Sequence, residues 1–276
     1  MNNYQNTVKQ DECALTTEII GRRIAYPFAL LAKRMGLSAN AVTVIAGLSW
    51  MASLPLAVWA GAVLGGGPKT LGLVLWFACG FLWNAGYILD MADGSLARMT
   101  GTASRRGFYL DYVFHLLFKP AFLASVGTGL YLSHAGGFGW LLLAILSIPA
   151  NWSATAGAVE HVLCESFGKR TLPDLPADSQ AFRKLWLGVT DMNSLGSEKA
   201  SAPLRLLKTL AAEVFSYYGQ FSFFSFTVLI DLVIAQFSDS VMPVTSACFI
   251  FVASVLVVRI PFRVIREYNR IAVSDR

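Results

Sequence analysis

Charge is scarce in this chain. Only 14% of its 276 residues are Asp, Glu, Lys or Arg, against about 25% in an ordinary soluble domain. Cysteine is scarce too. Cys13, Cys79, Cys164 and Cys248 are dispersed and at no metal-ligand spacing, which excludes a disulfide framework and a zinc signature. The first 18 residues are polar and mixed in charge, so no cleavable signal peptide is expected there. Neither terminus carries a lipidation motif. No internal repeat is visible, which argues against a transporter built from paired broken helices.

Apolar residues fill the space that charge leaves. They make up 55% of the chain, and the mean hydropathy is +0.54. A spanning helix needs about 20 mainly apolar residues. Six stretches qualify, at roughly 40–62, 70–92, 107–133, 138–162, 210–236 and 241–262. Backbone groups in a bilayer must be satisfied within the chain, so each stretch is expected to be helical. The expected fold is an all-α integral membrane protein, with six transmembrane helices preceded by an N-terminal amphipathic surface helix.

The cations set the topology. With both termini cytoplasmic, the inner side holds Arg22, Arg23, Lys33, Arg34, Arg98, Arg105, Arg106, the 169–208 cluster and the tail from Arg259 to Arg276, while the outer loops keep only Lys69. That asymmetry follows the positive-inside rule. The net charge of +5 then reads as orientation plus affinity for anionic headgroups, not as a nucleic-acid surface. A multi-pass protein is expected, in the plasma or inner membrane of a bacterial cell, with its site facing the cytoplasm.

Residues 1–16 read as a flexible tail. Residues 17–39 read as an amphipathic interfacial segment that Pro27 breaks or kinks. Residues 40–276 form the membrane domain. Its inner loop at about 163–209 contains Pro173, Pro176 and Pro203 and is read either as a lid that contacts substrate or as a linker.

The chemistry concentrates between Leu89 and Leu116. Asp90 and Asp93 are three apart and share a helix face; Asp111 and His115 are four apart and share another. Packing the two helices as a hairpin would bring all four side chains together. Three carboxylates beside an apolar slab repel one another and lose hydration, and a divalent cation is the natural compensation. Hard oxygen ligands favour magnesium, manganese or calcium over zinc. Acids that simply cap helix ends in water are the plainer explanation, but three at same-face spacing go beyond it, and ionisable groups at membrane depth are functional candidates. Gly94 and Ala97 leave a groove for a nucleotide, Gly107 permits close helix contact, and Arg98 is placed to fork onto a phosphate.

The stretch reads Asp90-x2-Asp93-Gly94-x2-Ala97-Arg98-x8-Gly107-x3-Asp111-x3-His115. It closely resembles the signature of the CDP-alcohol phosphotransferase family, D-x2-DG-x2-AR-x8-G-x3-D-x3-D, and seven of the eight signature residues match in place. Asn40-x2-Thr43 resembles the family's P-N-x2-T, with Ala39 where the proline stands. The resemblance covers most of 17–271 and leaves the 163–209 loop unmatched. It implies transfer of a substituted phosphate group from a CDP-linked donor to an acceptor hydroxyl, with release of CMP, in the synthesis of phospholipids or related lipids. At least one of donor and acceptor would be a lipid. It also implies two Mg²⁺ or Mn²⁺ ions held by Asp90, Asp93 and Asp111, a donor site shaped by Asn40, Thr43, Gly94, Ala97, Arg98 and Gly107, and a homodimer.

His115 is the departure: the family's fourth acid, its general base, is here an imidazole. The leading reading keeps His115 as the base, acting with Asp111. The alternatives are a metal or substrate ligand, or loss of activity, which would leave a CDP-lipid-binding homologue or a membrane scaffold. Arg105, Arg106 and Lys119 are candidate contacts to acceptor or phosphate. Glu160 and His161 are candidates for the acceptor side or for a satisfied core pair. Glu213 and Asp231 are expected to pair with cations of neighbouring helices. The aromatic residues between Phe215 and Phe226 are expected to face lipid or to pack.

Overall fold

The computed structural model describes residues 21–134, 137–150 and 217–274. The 1–16 tail, the 163–209 loop, Glu160, His161 and Glu213 lie outside the described residues, as does the side chain of Arg105. Among the described residues the chain is helical, without strands. The helices are α1 (Arg22–Arg34), α2 (Ala39–Gly66), α3 (Lys69–Thr100), α4 (Arg105–Ser133), α5 (Phe138–Ala150), α6 (Tyr217–Ile234) and α7 (Pro243–Ser274).

Four segments are long and apolar enough to cross a membrane: Ala39–Gly66, Lys69–Thr100, Tyr109–Ser133 and Pro243–Pro261. Two shorter apolar helices, Phe138–Pro149 and Gly219–Ile234, fall on the remaining predicted stretches. The chain is therefore a helical protein of membrane type.

Local sequence explains the helix ends that frame the site. Ser38 caps α2 by accepting the Ala41 amide at 3.2 Å, and Ser104 caps α4 by accepting the Gly107 amide at 3.1 Å. Each hydroxyl satisfies an amide that the first turn leaves unbonded. Gly101 closes α3 at φ 65°, a left-handed conformation that costs a glycine little. The α3–α4 connection therefore needs only the four residues 101–104, and the end of α3 and the start of α4 stay together. α3 also runs eight residues past the expected 70–92 boundary, which keeps Asp93, Gly94, Ala97 and Arg98 on helix.

α1 shows two opposed faces. Ala25, Ala29 and Ala32 are buried with Ala92 and Leu96 of α3, whereas Ile24, Phe28, Leu31 and Met35 are exposed. Small residues on one face let α1 lie close against α3, and the large apolar face suits the acyl boundary. Pro27 sits within α1 and does not end it, so of the expected break or kink the break does not occur. The helix continues past proline with one i→i−4 hydrogen bond fewer. Arg22, expected to serve orientation, is buried, next to the point where Gly21 meets Tyr87 and Met91.

α2 is the central helix and packs along both α3 and α4. Its contact with α4 is backbone to backbone. A β-carbon on Gly61 would lie 2.0 Å from the Gly129 carbonyl oxygen, and one on Gly129 would lie 2.5 Å from that of Ala57. Small residues at such crossings allow the close packing that joins helices in lipid. α3 and α4 meet instead through rings, with Trp83 edge-on to Phe122 at 5.0 Å. Phe221 and Phe224 of α6 complete this core, so part of the 215–226 aromatic run packs inside, while Phe226 is exposed.

Asp231 corrects an expectation. Among the described residues it pairs with no cation; its carboxylate accepts the Val244 and Thr245 amides at 2.9 and 2.8 Å. It thereby caps α7 from the neighbouring helix, where unbonded amides and the positive end of the helix dipole favour an anion.

The α2–α4 crossing generates the first test. Gly61→Ala is expected to destabilise the purified protein by about 1–3 kcal/mol through overpacking, read as a lowered thermal midpoint in detergent. Gly66→Ala, where an added β-carbon meets nothing within 4 Å, is expected to leave the midpoint unchanged or raised. Equal midpoints for the two variants would refute the close crossing.

Candidate metal and phosphate site

The predicted residues come together at one end of the bundle, where α2 begins, α3 ends and α4 begins. His115 is the centre. Its Nε2 lies 3.1 Å from Asp111 Oδ1 on the same helix and 3.3 Å from Asp90 Oδ1 on α3. One ligand atom from each of these residues falls within 4.8 Å of the others. The i,i+4 spacing places Asp111 and His115 on one face of α4, and the short 101–104 link brings that face to the acids of α3.

Asp93 takes a different partner. It is buried, and its Oδ2 accepts a hydrogen bond from the Thr43 hydroxyl of α2 at 2.5 Å. The expected four-residue cluster on a two-helix hairpin is thus divided. Asp90, Asp111 and His115 face one another between α3 and α4, while Asp93, one turn along α3, is tied to α2. The physical reason is that α2 lies alongside both helices, so the face carrying Asp90 and Asp93 borders two neighbours.

The other motif residues surround these contacts. Gly107 lies against Asn40: a β-carbon there would be 2.9 Å from Asn40 Oδ1, so the main signature and the weaker Asn40-x2-Thr43 match meet across α2 and α4. Gly94 lies beside the Arg98 guanidinium, 3.4 Å from Nη1 at the position of an added β-carbon. Arg98 is exposed and reaches Ser95 Oγ at 3.5 Å. Ala97, the residue before it, is half-buried, and Arg106 is exposed on α4. Lys119, one turn beyond His115, is within electrostatic reach of Asp90 and Asp111. Lys119 thus lies further into the bundle than Asp111 and His115, while Arg98 and Arg106 lie towards its end.

Trp50 is a contributor that motif spacing did not single out. Its ring lies 5.1 Å from the His115 ring and stacks on Phe118 at 5.3 Å, with an interplanar angle of 3°. Its indole N–H donates to the Trp83 carbonyl at 3.1 Å. Gly86 makes room for it, since an added β-carbon would fall 2.4 Å from Trp50 Cδ1. Trp50 therefore fixes the imidazole against α2, α3 and α4 together. A sequence signal existed: Asn40, Thr43, Gly47 and Trp50 lie on one helical stripe.

These residues fit a divalent cation. Asp111 Oδ1 is buried with an imidazole nitrogen 3.1 Å away. Crowded, poorly hydrated carboxylates call for positive charge, and a cation shared by Asp111, Asp90 and His115 would supply it. No protein-family model, curated protein or solved structure matches the chain.

The Thr43–Asp93 bond makes the second test. Thr43→Val removes the hydroxyl at nearly constant volume and leaves a buried carboxylate oxygen without its donor, at an expected cost of about 1–3 kcal/mol. Thr43→Ser keeps the donor and is expected to retain most of the stability. Comparable thermal midpoints for Val and wild type would show that the bond contributes nothing.

Proposed function

We propose that the chain is a membrane-embedded, divalent-metal-dependent transferase of the CDP-alcohol phosphotransferase kind. In this reading six helices cross the membrane, both termini and the site face the cytoplasm, and the working unit is a homodimer. The observation that carries it is the convergence of Asp90, Asp111 and His115 at one bundle end, with Asp93 on Thr43 and Gly107 on Asn40 beside them. Residues separated by up to 75 positions in sequence, from Asn40 to His115, meet there, as the signature spacing requires of a donor site.

The transfer joins an acceptor oxygen to the phosphorus that carries the donor's alcohol. The bond from that phosphorus to the bridging oxygen breaks, CMP departs with that oxygen, and the acceptor hydroxyl loses its proton. Bound divalent metal would supply neutralisation of the pyrophosphate and of the leaving CMP. The chain's own part is positioning, the larger share of catalysis in phosphoryl transfer. Asp90, Asp93 and Asp111 would hold the metal, with Asp93 oriented by Thr43. Gly94 and Ala97 present a surface without bulk along which a nucleotide can lie. Arg98 offers a planar fork to a phosphate, and Arg106 and Lys119 add positive charge on either side. A site at the membrane boundary gives a water-soluble substrate and a lipid a common meeting place.

One observation favours a second reading, a homologue that binds CDP-lipid without turnover. His115 Nε2 faces the two carboxylates and Nδ1 is buried, so neither nitrogen is presented outward as a base.

The two readings separate on CMP release by purified protein given Mg²⁺ or Mn²⁺, CDP-linked donors and a panel of alcohol acceptors. The transferase reading expects release that falls about 100-fold or more in Asp90→Asn, Asp93→Asn or Asp111→Asn, the scale seen when a group stabilising transition-state charge is removed. CDP-diacylglycerol binding with no CMP from any donor–acceptor pair would replace it with the second reading.

A further inference from the structure

We infer that His115 is a metal ligand through Nε2, completing with Asp90 and Asp111 a mixed nitrogen–oxygen site that prefers manganese to magnesium. The assignment rests on the metal-dependent reading above and deepens it by fixing the role of the one residue that departs from the signature.

Three observations carry it. Nε2, not Nδ1, is directed at the carboxylates, at nearly equal distances of 3.1 and 3.3 Å from Asp111 and Asp90. Asp111 Oδ1 is a buried oxygen beside the imidazole edge, and a cation between the three groups would engage all of them at once. Finally, Asp93 has one carboxylate oxygen engaged by Thr43, and the ligand atoms that lie within 4.8 Å of one another are those of Asp90, Asp111 and the imidazole.

Trp50 makes the arrangement a built one. Its ring against His115, held by the hydrogen bond to Trp83 and by the stack on Phe118, restrains the imidazole with Nε2 forward. Groups around a ligating histidine commonly set its orientation in this way. Replacing a carboxylate by an imidazole changes metal choice. Magnesium favours oxygen ligands and keeps its waters, while affinity for nitrogen-containing sites rises along the first-row transition series that manganese begins. The site also has one negative charge fewer than an all-acid version, which weakens a purely ionic grip on magnesium.

Mn²⁺ alone is the probe, added to the purified full chain prepared without a polyhistidine tag. Pulsed electron paramagnetic resonance of bound Mn²⁺ is expected to show ¹⁴N modulation from a directly bonded imidazole. In His115→Asp the modulation is expected to vanish while Mn²⁺ still binds, and the preference for Mn²⁺ over Mg²⁺, measured by competition, to fall about tenfold. Bound Mn²⁺ without ¹⁴N modulation in the unsubstituted protein overturns the assignment, and that result needs no variant to fold. Modulation that persists in His115→Asp also overturns it. The CMP assay separates this failure from that of the function: release of CMP without ¹⁴N modulation keeps the transferase and removes the ligand, while modulation without release keeps the ligand and removes the transferase.

Discussion

Carboxylates at the end of an apolar bundle lose hydration and repel one another, and each must find a partner within the protein. Asp93 takes the Thr43 hydroxyl, and Asp90 and Asp111 take the His115 edge. These contacts demand that three helices end together. The Ser38 and Ser104 caps, the left-handed turn at Gly101 and the glycine crossing at Gly61 and Gly129 serve that demand. Moving α2 outward by the width of a methyl group would separate Thr43 from Asp93 and withdraw Trp50 from His115.

Polar satisfaction at the site is therefore coupled to apolar packing behind it. Trp50 belongs to both: its ring is in the core with Phe118 and Phe221, and it borders His115. Close-packed interiors transmit displacement because they hold few voids to absorb it. The ring stack continues through Phe122 to Trp83 and Phe224, linking α2, α3, α4 and α6. At the opposite end Asp231 repeats the logic with a different partner, the leading amides of α7.

The helical architecture was legible because long apolar stretches permit little else in lipid, and each of the six candidates meets a helix where its residues are described. The short link between α3 and α4 was legible in Gly101 and in the spacing of the motif. The partner of Asp93 was not. Same-face spacing says which residues share a side of one helix, and it is silent on which neighbour that side meets. Thr43 was placed near the nucleotide by resemblance, whereas its hydroxyl is committed to a carboxylate. Trp50 was hidden for a related reason: an indole in an apolar helix looks like packing until the helix opposite is known to carry a histidine. The burial of Arg22 was not legible, because a cation near a helix start fits the positive-inside pattern whether it is exposed or buried.

His115 shows how one substitution can redirect a site without dissolving it. An imidazole on α4, four residues from Asp111, reaches the same acids that a carboxylate there would reach, so the helix pairing survives. Its chemistry changes in two ways. It removes one negative charge from a crowded cluster, which lowers the repulsion that the folded bundle must contain. It also offers a nitrogen lone pair where an oxygen would stand, and Trp50 holds that nitrogen towards Asp90 and Asp111. On the proposed assignment the metal-binding part of the signature would gain a ligand from the position that its base-catalysis part gives up, and proton removal from an acceptor would fall to a group other than the imidazole.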